Sequence, residues 1–279
     1  MTDPPAAILC VFAHPDDEQY GTAGALLACA DRGIAVHILC ATRGDAGEIS
    51  DPAFAIPETL AAVREEELRE ACRLLGFAPP TFLDHHDGHL ALVDADRLTR
   101  EVVQTIRRVR PRVLVTFDAN GGYGHPDHIA IHRATVAALD AAPDPAFAPD
   151  LGPPHRADKL YATAYPRGQL ARVNADLVAH DLPPLGFGDV QTIADADIGT
   201  AEERITTAVP VAHLWERRWA SLIAHRTQYG PNHSFRLLPE AVMRSWLTTD
   251  TFVRLHPAPL PGTSLPDEDD LWTGLPSTA

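Results

Sequence analysis

The stretch ILCVFAHPDDE at residues 8–18 joins an apolar run to a cluster of polar side chains, and it decides the fold. A second stretch, VLVTFDANGGYGHPDH at residues 113–128, has the same layout. Each apolar run predicts a buried strand. Each run leads to a His-Pro pair. Because proline is favoured at the first helical position, we expect both pairs to open helices, with His14 and His125 at the N-caps.

Strand and helix patterns alternate through the first part of the chain. Strands are predicted over 8–13, 35–42, 81–83, 113–117 and 159–164, and helices over 20–30, 59–75, 97–109 and 126–139. This alternation is typical of an α/β protein whose parallel sheet carries helices on both faces. We therefore predict a Rossmann-like, doubly wound, mostly parallel sheet.

The domain organisation follows from where this pattern weakens. Residues 1–165 are predicted to form the Rossmann-like catalytic core, and residues 166–279 a smaller C-terminal region that completes the pocket. Within that region a strand is predicted over 205–209 and a helix over 211–229. From about residue 257 the chain is rich in Pro and acidic residues, which predicts an extended surface tail.

Composition excludes several classes of protein. The chain has 279 residues and a formal net charge of −15, so a polyanionic partner such as a nucleic acid or an anionic membrane would be repelled. The sequence shows no signal peptide and no apolar stretch of about 18 residues. Its four cysteines form no Cys-x-x-Cys pair and are predicted to be reduced core residues of a cytoplasmic protein. The sequence carries no indication of the oligomeric state.

The two His-Pro motifs are expected to meet in space. With strand order 3-2-1-4-5, the first and fourth strands are neighbours, and the crevice at their carboxyl ends is where such sheets bind ligands. Residues three apart lie on the same side of a helical turn, which pairs His14 with Asp17 and His125 with His128. The sequence therefore predicts one site built from two distant motifs.

The chemistry of these side chains indicates a metal. Imidazoles and a carboxylate without a thiolate suit zinc or another divalent transition metal. Two His and one Asp leave a coordination position open, as in catalytic sites where the metal acidifies a water molecule. Of the adjacent Asp16 and Asp17, one carboxylate can bind the metal while the other acts as a general base. A single motif could be helix capping alone, but two matching motifs on neighbouring strands favour a site.

The two motifs carry a resemblance to a known family. Together with Thr42-Arg43-Gly44 after the second strand, and more weakly with His225-Arg226-Thr227-Gln228, they resemble the LmbE-like N-acetylglucosaminyl deacetylases. That family includes the GlcNAc-phosphatidylinositol de-N-acetylases and the deacetylase and amidase of the mycothiol pathway. The resemblance covers about the first half of the chain.

The resemblance implies a zinc-dependent hydrolase that removes an acetyl group from an N-acetylglucosamine-like substrate through a metal-activated water. It implies one Zn²⁺ per chain, with other divalent metals as alternatives, held by His14, Asp17 and His128. Asp16 would be the general base.

Three further residues receive roles from the same resemblance. His125 would be the electrophilic partner or acid, and Asp127 would orient an imidazole. Tyr123 stands where the mycothiol-pathway deacetylase has a mobile tyrosine that approaches the oxyanion.

Four more residues are candidates for substrate binding. Arg43 lies in the loop after the second strand, at the edge where the motifs lie. Arg64 could form a surface ion pair with Glu67 or reach the crevice, and the resemblance favours the second alternative. Asp87 belongs to an Asp-Gly turn like that of the family, and His225 ends the C-terminal helix. The neighbouring His85, His86 and His89 are predicted to be solvated or locally hydrogen-bonded.

Three other functions remain open at this point. One is an amidase that cleaves a larger thiol or sugar conjugate at the same site. The others are a metal phosphoesterase, which would usually need two metals, and a non-catalytic sugar- or metal-binding protein. A small N-acetylated amino sugar or conjugate is the expected partner, without nucleic acid and without stable membrane association. The chain has no G-x-G-x-x-G and no G-x-S-x-G motif.

Overall fold

One seven-stranded sheet organises the chain. The structure, a computed structural model, describes residues 6–185 and 198–276. The strand order is β3-β2-β1-β4-β5-β7-β6. The strands are β1 (Ala7–Phe12), β2 (Ala35–Thr42), β3 (Thr81–His85), β4 (Val113–Thr116), β5 (Lys159–Ala164), β6 (Thr207–Pro210) and β7 (Thr249–His256). The first five strands pair in parallel, whereas β7 is antiparallel to both β5 and β6. The predicted fold class and strand order 3-2-1-4-5 are confirmed.

Five of the helices form two packed groups. The helices are α1 (Ala23–Ala30), α2 (Pro57–Leu75), α3 (Ala95–Val109), α4 (Gly121–Gly124), α5 (Pro126–Ala141), α6 (Arg167–Ala179), α7 (Trp215–Leu222), α8 (Ser234–Leu237) and α9 (Glu240–Trp246). Helices α3 and α5 pack on each other and on β1, while α1, α2 and α7 form the second group. Helix α4 is a single distorted turn with non-helical dihedral angles at Gly122 and Tyr123. No helix in the described part of the chain is both long and apolar enough to cross a membrane.

Strands β1 and β4 form the centre of the core. Every residue of both strands is buried, as expected for parallel strands covered on both faces. The register pairs Ile8 with Val113 and Cys10 with Val115, so both strands end at the same edge of the sheet. All four cysteines are buried and free, in agreement with their predicted place in the core. The two His-Pro motifs consequently leave the sheet side by side.

The C-terminal region adds β6 and β7 to the sheet begun by the first 165 residues. The strand predicted over 205–209 is present as β6, whereas β7 and α6 were not predicted. The predicted division at residue 165 stays a prediction about folding units. Beyond residue 257 the chain does not remain on the surface throughout, because Leu271 and Trp272 are buried in the main core.

The helix predicted over residues 211–229 was wrong in extent. A short 3-10 turn precedes α7, which ends at Leu222. Beyond Leu222 the backbone forms irregular turns, and at Thr227 it bonds to distant residues. The Thr227 N–H donates to Glu67 Oε1 at 2.9 Å, and the Thr227 carbonyl accepts from the Ser50 N–H at 2.8 Å. Tertiary hydrogen bonds therefore replace helical ones at this point.

A buried ion pair ties the C-terminal region to the rest of the fold. Arg218 Nη2 in α7 donates to Asp250 Oδ1 in β7 at 2.8 Å, and both side chains are at most 2% exposed. Asp250 Oδ2 accepts from the Ala25 N–H in α1 at 2.9 Å, and Arg218 Nη1 donates to the Leu247 carbonyl at 2.8 Å. The carboxylate thus links α1, α7 and β7.

We expect Asp250→Ala to lower the free energy of unfolding by about 3–5 kcal/mol, because it leaves the Arg218 guanidinium buried without a counter-charge. Chemical denaturation measures this loss. Glu240→Ala is the matched control, because it breaks an exposed ion pair with Arg244 (Nε to Oε1, 2.7 Å) worth about 0.5 kcal/mol or less. Equal losses in the two variants would contradict the structural role of the buried pair.

Candidate metal centre and substrate cleft

A cleft of about 660 Å³ lies at the edge of the sheet where β1 and β4 end. Both His-Pro motifs line it, together with loops after β2 and β3 and several residues of the C-terminal region. Its size is in the range of small-molecule sites, and it lies at the topological switch point of the sheet.

The first motif forms a tight turn and does not open a helix. Helix α1 begins only at Ala23, so the prediction of His14 as an N-cap was wrong. The reason is the backbone of Asp16, whose φ of +110° lies outside the helical range two residues after His14. The Asp17 carboxylate adds to the turn, because its Oδ2 accepts from the backbone N–H of His14 at 2.6 Å and of Ala13 at 3.2 Å. These bonds fold the turn back on itself and hold Asp17 beside His14. His125, in contrast, is the N-cap of α5 and accepts from the Asp127 N–H at 3.2 Å.

Three side chains converge on one point in the cleft. His14 Nδ1 lies 3.2 Å from His128 Nε2 and 3.6 Å from Asp17 Oδ2, and Asp17 Oδ1 lies 3.4 Å from His128 Nε2. Ligand atoms about 2.0–2.1 Å from a tetrahedral ion are themselves separated by about 3.3 Å. The distances between these donors therefore fit a divalent metal bound at their centre.

In both His14 and His128, the ring nitrogen that faces away from this point is hydrogen-bonded to the protein. His14 Nε2 donates to Asp87 Oδ1 at 2.8 Å, with Asp127 Oδ2 at 3.4 Å. His128 Nδ1 donates to the Gly121 carbonyl at 3.0 Å, and its ring stacks on Phe117 at 3.9 Å. This is the arrangement that orients metal-binding histidines elsewhere.

Two other side-chain groups are also close enough to hold an ion. One is His14 with His125 and His128, and the other is His14 with Asp87 and Asp127. The second group would use the His14 nitrogen that already donates to Asp87. We therefore favour the other side of the His14 ring as the metal site, where Nδ1 faces His128 and Asp17.

The cleft stabilises positive charge. Burial lowers the pKa of His14, but its hydrogen bonds to Asp127 and Asp87 outweigh burial and raise that pKa to about 10. Burial and the charge on His14 lower the pKa of His128 to about 2, which keeps this imidazole neutral. Its lone pair on Nε2 then faces Asp17 and His14. A field that favours a cation at His14 also favours a divalent ion at the same place.

Asp16 has a strained backbone beside this centre. Its φ is +110°, which is rare for any residue other than glycine and costs about 1–3 kcal/mol. Its carboxylate lines the cleft, and Arg64 Nη2 lies 3.3 Å from Oδ1. Burial raises the pKa of Asp16 to about 6, although the Arg64 charge opposes the increase. A carboxyl group with such a pKa can exchange protons near neutral pH.

Arg64 is buried, so the surface ion pair with Glu67 that the sequence left open is absent. The guanidinium donates to the Pro15 carbonyl at 2.6 Å and to the Gly44 carbonyl at 3.1 Å, and it lines the cleft. A Cβ on Gly44 or Gly47 would overlap it. Arg64 thus holds together the loop at Pro15 and the loop at Gly44. Its predicted contact with substrate stays a prediction.

His125, Tyr123 and Asp127 lie where the motif predicts. His125 and Tyr123 line the cleft, with ring centres 6.0 Å apart. Asp127 is fully buried and accepts from the Gly88 N–H at 2.7 Å and the Leu90 N–H at 2.9 Å. These bonds aim its carboxylate at the His14 ring and fix the turn that carries Asp87.

Two predicted substrate-binding residues lie outside the set of described residues that line the cleft. Arg43 pairs with Glu65 (Nε to Oε2, 2.5 Å) and with Asp84. His225 is completely buried and donates Nε2 to Glu18 Oε1 at 2.7 Å. Whether either residue contacts substrate stays a prediction.

The three neighbouring histidines have local partners. His85 Nε2 bonds to Glu101 at 2.6 Å, His86 Nδ1 to Asp45 at 3.1 Å, and His89 Nδ1 to the Asp87 carbonyl at 2.9 Å.

Sequence reasoning missed one wall of the cleft. It is largely aromatic and consists of Tyr20 and Tyr165 together with residues from the C-terminal region, among them Tyr229, His233 and Phe235. The sequence signal was weak, because these residues have no common spacing. The sequence predicted only that residues 166–279 complete the pocket and singled out the His225–Gln228 stretch, of which Gln228 lines the cleft.

Comparison with known proteins identifies relatives over most of the chain. Residues 9–139 match the family model described as GlcNAc-PI de-N-acetylase, PIG-L. The 1D-myo-inositol 2-acetamido-2-deoxy-α-D-glucopyranoside deacetylase 1 of Catenulispora acidiphila is 33% identical, over 96% of this chain and 89% of that protein. The deacetylase of the same name from Thermomonospora curvata is 38% identical, over 82% of each chain.

Solved structures share the fold. A conserved protein from Thermus thermophilus is 27% identical with a TM-score of 0.61, over 93% of this chain and 97% of that one. The N,N'-diacetylchitobiose deacetylase from Pyrococcus horikoshii has a TM-score of 0.63 at 17% identity, over 92% and 88%. The 4-carboxy-2-hydroxymuconate hydratase GalB from Pseudomonas putida has a TM-score of 0.64 at 16% identity, over 92% and 99%. A deacetylase and a hydratase thus share this fold, so the fold alone does not decide the reaction.

We expect Asp87→Ala to weaken Zn²⁺ binding by about 10- to 100-fold, because the His14 ring loses the carboxylate that orients it. Competition with a chromophoric chelator measures the affinity. His86→Ala, which removes a neighbouring exposed imidazole, serves as the control and should bind as tightly as the unaltered protein. Unchanged affinity in Asp87→Ala would contradict the assignment of His14 Nδ1 as a ligand.

Proposed function

This chain belongs to the LmbE-like (PIG-L) family of N-acetylglucosaminyl deacetylases, and from that premise we propose that it is an N-deacetylase acting on an N-acetylglucosamine conjugate. The observation that carries the proposal is the convergence of His14, Asp17 and His128 in a cleft that Asp16 also lines. The relatives support it, because their names describe deacetylases of a glucosaminide of myo-inositol. A neutral glycoside of this kind is the substrate class we propose.

His14, Asp17 and His128 would hold one divalent metal ion, which we propose to be zinc. Their mutual distances and the neutral His128 imidazole fit this role. When bound, the ion supplies Lewis acidity, which polarises the acetamide carbonyl and lowers the pKa of water.

Asp16 would act as the general base. Its carboxylate accepts a proton from the attacking water, whose oxygen bonds to the acetamide carbon. The C–N bond then breaks, and the same proton passes from Asp16 to the departing amine. The products are acetate and the free amino sugar. A pKa raised by burial to about 6 suits a group that both accepts and returns a proton.

His125 and Tyr123 would stabilise the oxyanion. His125 Nδ1 accepts the Asp127 N–H, so in the neutral ring the proton resides on Nε2, which becomes a donor. Burial and the charge on His14 lower the pKa of His125 and favour this neutral form. Burial raises the pKa of Tyr123, so its phenol also keeps a proton to donate. Preorganised donors of this kind stabilise developing negative charge.

A second candidate is an amidase for a larger conjugate at the same site. The size of the cleft, about 660 Å³, favours a substrate that extends beyond a single acetylated sugar. Both candidates use the same chain residues and differ in the group that occupies the aromatic wall.

We expect Asp16→Asn to retain its metal and to lose about 10²- to 10⁴-fold in kcat, because an amide cannot accept the proton from water. Free amine released from N-acetylglucosaminyl-myo-inositol measures the rate, and elemental analysis measures the metal. Asp150→Asn, at an exposed carboxylate that is not among the residues lining the cleft, is the control and should be fully active. Full activity in Asp16→Asn would reject its role as base.

We expect N-acetylglucosaminyl-myo-inositol to have a higher kcat/KM than amides that join a bulkier acyl group to the same amino sugar. The expected difference is at least about tenfold, since misfit at a shaped pocket costs about 1–3 kcal/mol. Parallel kinetics with both classes make the comparison. Faster cleavage of the bulkier amides would favour the amidase.

A further inference from the structure

The backbone of Asp16 needs support from outside its own turn. A φ of +110° is unfavourable for an aspartate and persists only where surrounding contacts impose it. The Asp16 N–H donates to Glu18 Oε2 at 3.0 Å. The Asp16 carbonyl accepts from the Gln19 N–H at 2.9 Å. Of these two hydrogen bonds, the one to Glu18 involves a side chain, and it fixes the backbone N–H of Asp16.

Glu18 is itself held from the C-terminal region. It is 1% exposed, and a buried carboxylate is stable only when it is fully hydrogen-bonded. Its Oε1 accepts from His225 Nε2 at 2.7 Å and from Gln19 Nε2 at 2.6 Å. The groups at Oε1 therefore decide where Oε2 points.

His225 makes this bond and leaves its other nitrogen unsatisfied. The ring is fully buried, and Nδ1 has no hydrogen-bond partner among the described residues. A buried polar atom without a partner is destabilising, and an apolar side chain of similar size would avoid that loss. The bond from Nε2 to Glu18 is what a histidine provides here and a leucine would not.

A second hydrogen bond from this part of the chain also helps to orient Glu18. Ser221 Oγ, one turn before His225, donates to Gln19 Oε1 at 2.9 Å. This bond orients the Gln19 amide so that its Nε2 faces Glu18. Both donors to Glu18 Oε1 are thus set by the end of α7 and the residues that directly follow it.

We propose that His225 is a positioning residue, which acts through Glu18 to hold the Asp16 carboxylate in the orientation that the reaction requires. The inference rests on the proposed function, in which Asp16 is the base. It gives the C-terminal region a part in catalysis besides lining the cleft.

The test compares three substitutions at one position. Gln places its NH₂ near the position of Nε2, whereas Asn places it near Nδ1, and Leu has no donor. We expect His225→Leu and His225→Asn to lose about 10²-fold in kcat with KM and metal content unchanged, because a displaced catalytic group slows the reaction without weakening binding. His225→Gln should recover most of the rate.

His155→Leu is the matched control. His155 is also buried and donates Nε2 to the Pro111 carbonyl at 2.7 Å, and it is not among the residues that line the cleft. Its substitution should reduce stability and leave kcat unchanged. Unaltered kcat in His225→Leu, equal rescue by Asn and Gln, or an equal loss in His155→Leu would overturn the proposal.

Crystal structures of the same variants separate this inference from the proposed function. Asp16 should leave its positive φ in His225→Leu and keep it in His225→Gln. An unmoved Asp16 in His225→Leu would reject the positioning role whatever the activity. If the unaltered protein released no amine from any substrate while Asp16 moved as expected, the proposed function would fail and the backbone support would stand.

Discussion

The crowding of negative charge at one edge of the sheet is the constraint on which the site depends. The carboxylates that crowd in or beside the cleft include those of Asp16, Asp17, Glu18, Asp87 and Asp127. Such groups repel one another, and burial strengthens the repulsion. His14, Arg64 and His225 each face at least one of them, and backbone N–H groups bond to others. A divalent ion would complete this balance, so metal binding and the local fold are parts of one electrostatic arrangement.

Much of the fold and of the site could be predicted because the signals were local. The apolar runs of β1 and β4 are buried on both faces, and the usual strand order makes them neighbours. That adjacency was enough to bring His14 and His128 together across the sheet. The proline after His125 likewise predicted its N-cap, since the capping bond involves only residues next to it.

The errors arose where distant residues decide the local structure. Helical spacing over 211–229 could not reveal that Glu67 takes the Thr227 amide. The alternative of a surface ion pair between Arg64 and Glu67 failed because their partners are backbone groups far along the chain, at Gly44 and Thr227. His14 failed as an N-cap because Asp16 has a φ of +110°, and the hydrogen bonds at its amide lead through Glu18 to the distant His225. The aromatic wall of the cleft was missed for the same reason.

The position of β7 has a consequence for synthesis on the ribosome. This strand is made after β6, yet it lies between β5 and β6 in the sheet. Until it emerges, β5 has an unpaired edge, and edges of this kind invite pairing with other chains. Residues 6–164 contain the five parallel strands, but Glu18 bonds to a histidine that is translated about two hundred residues later. The nascent chain therefore completes its sheet and the hydrogen bonds around Glu18 only after most of the described residues have been translated.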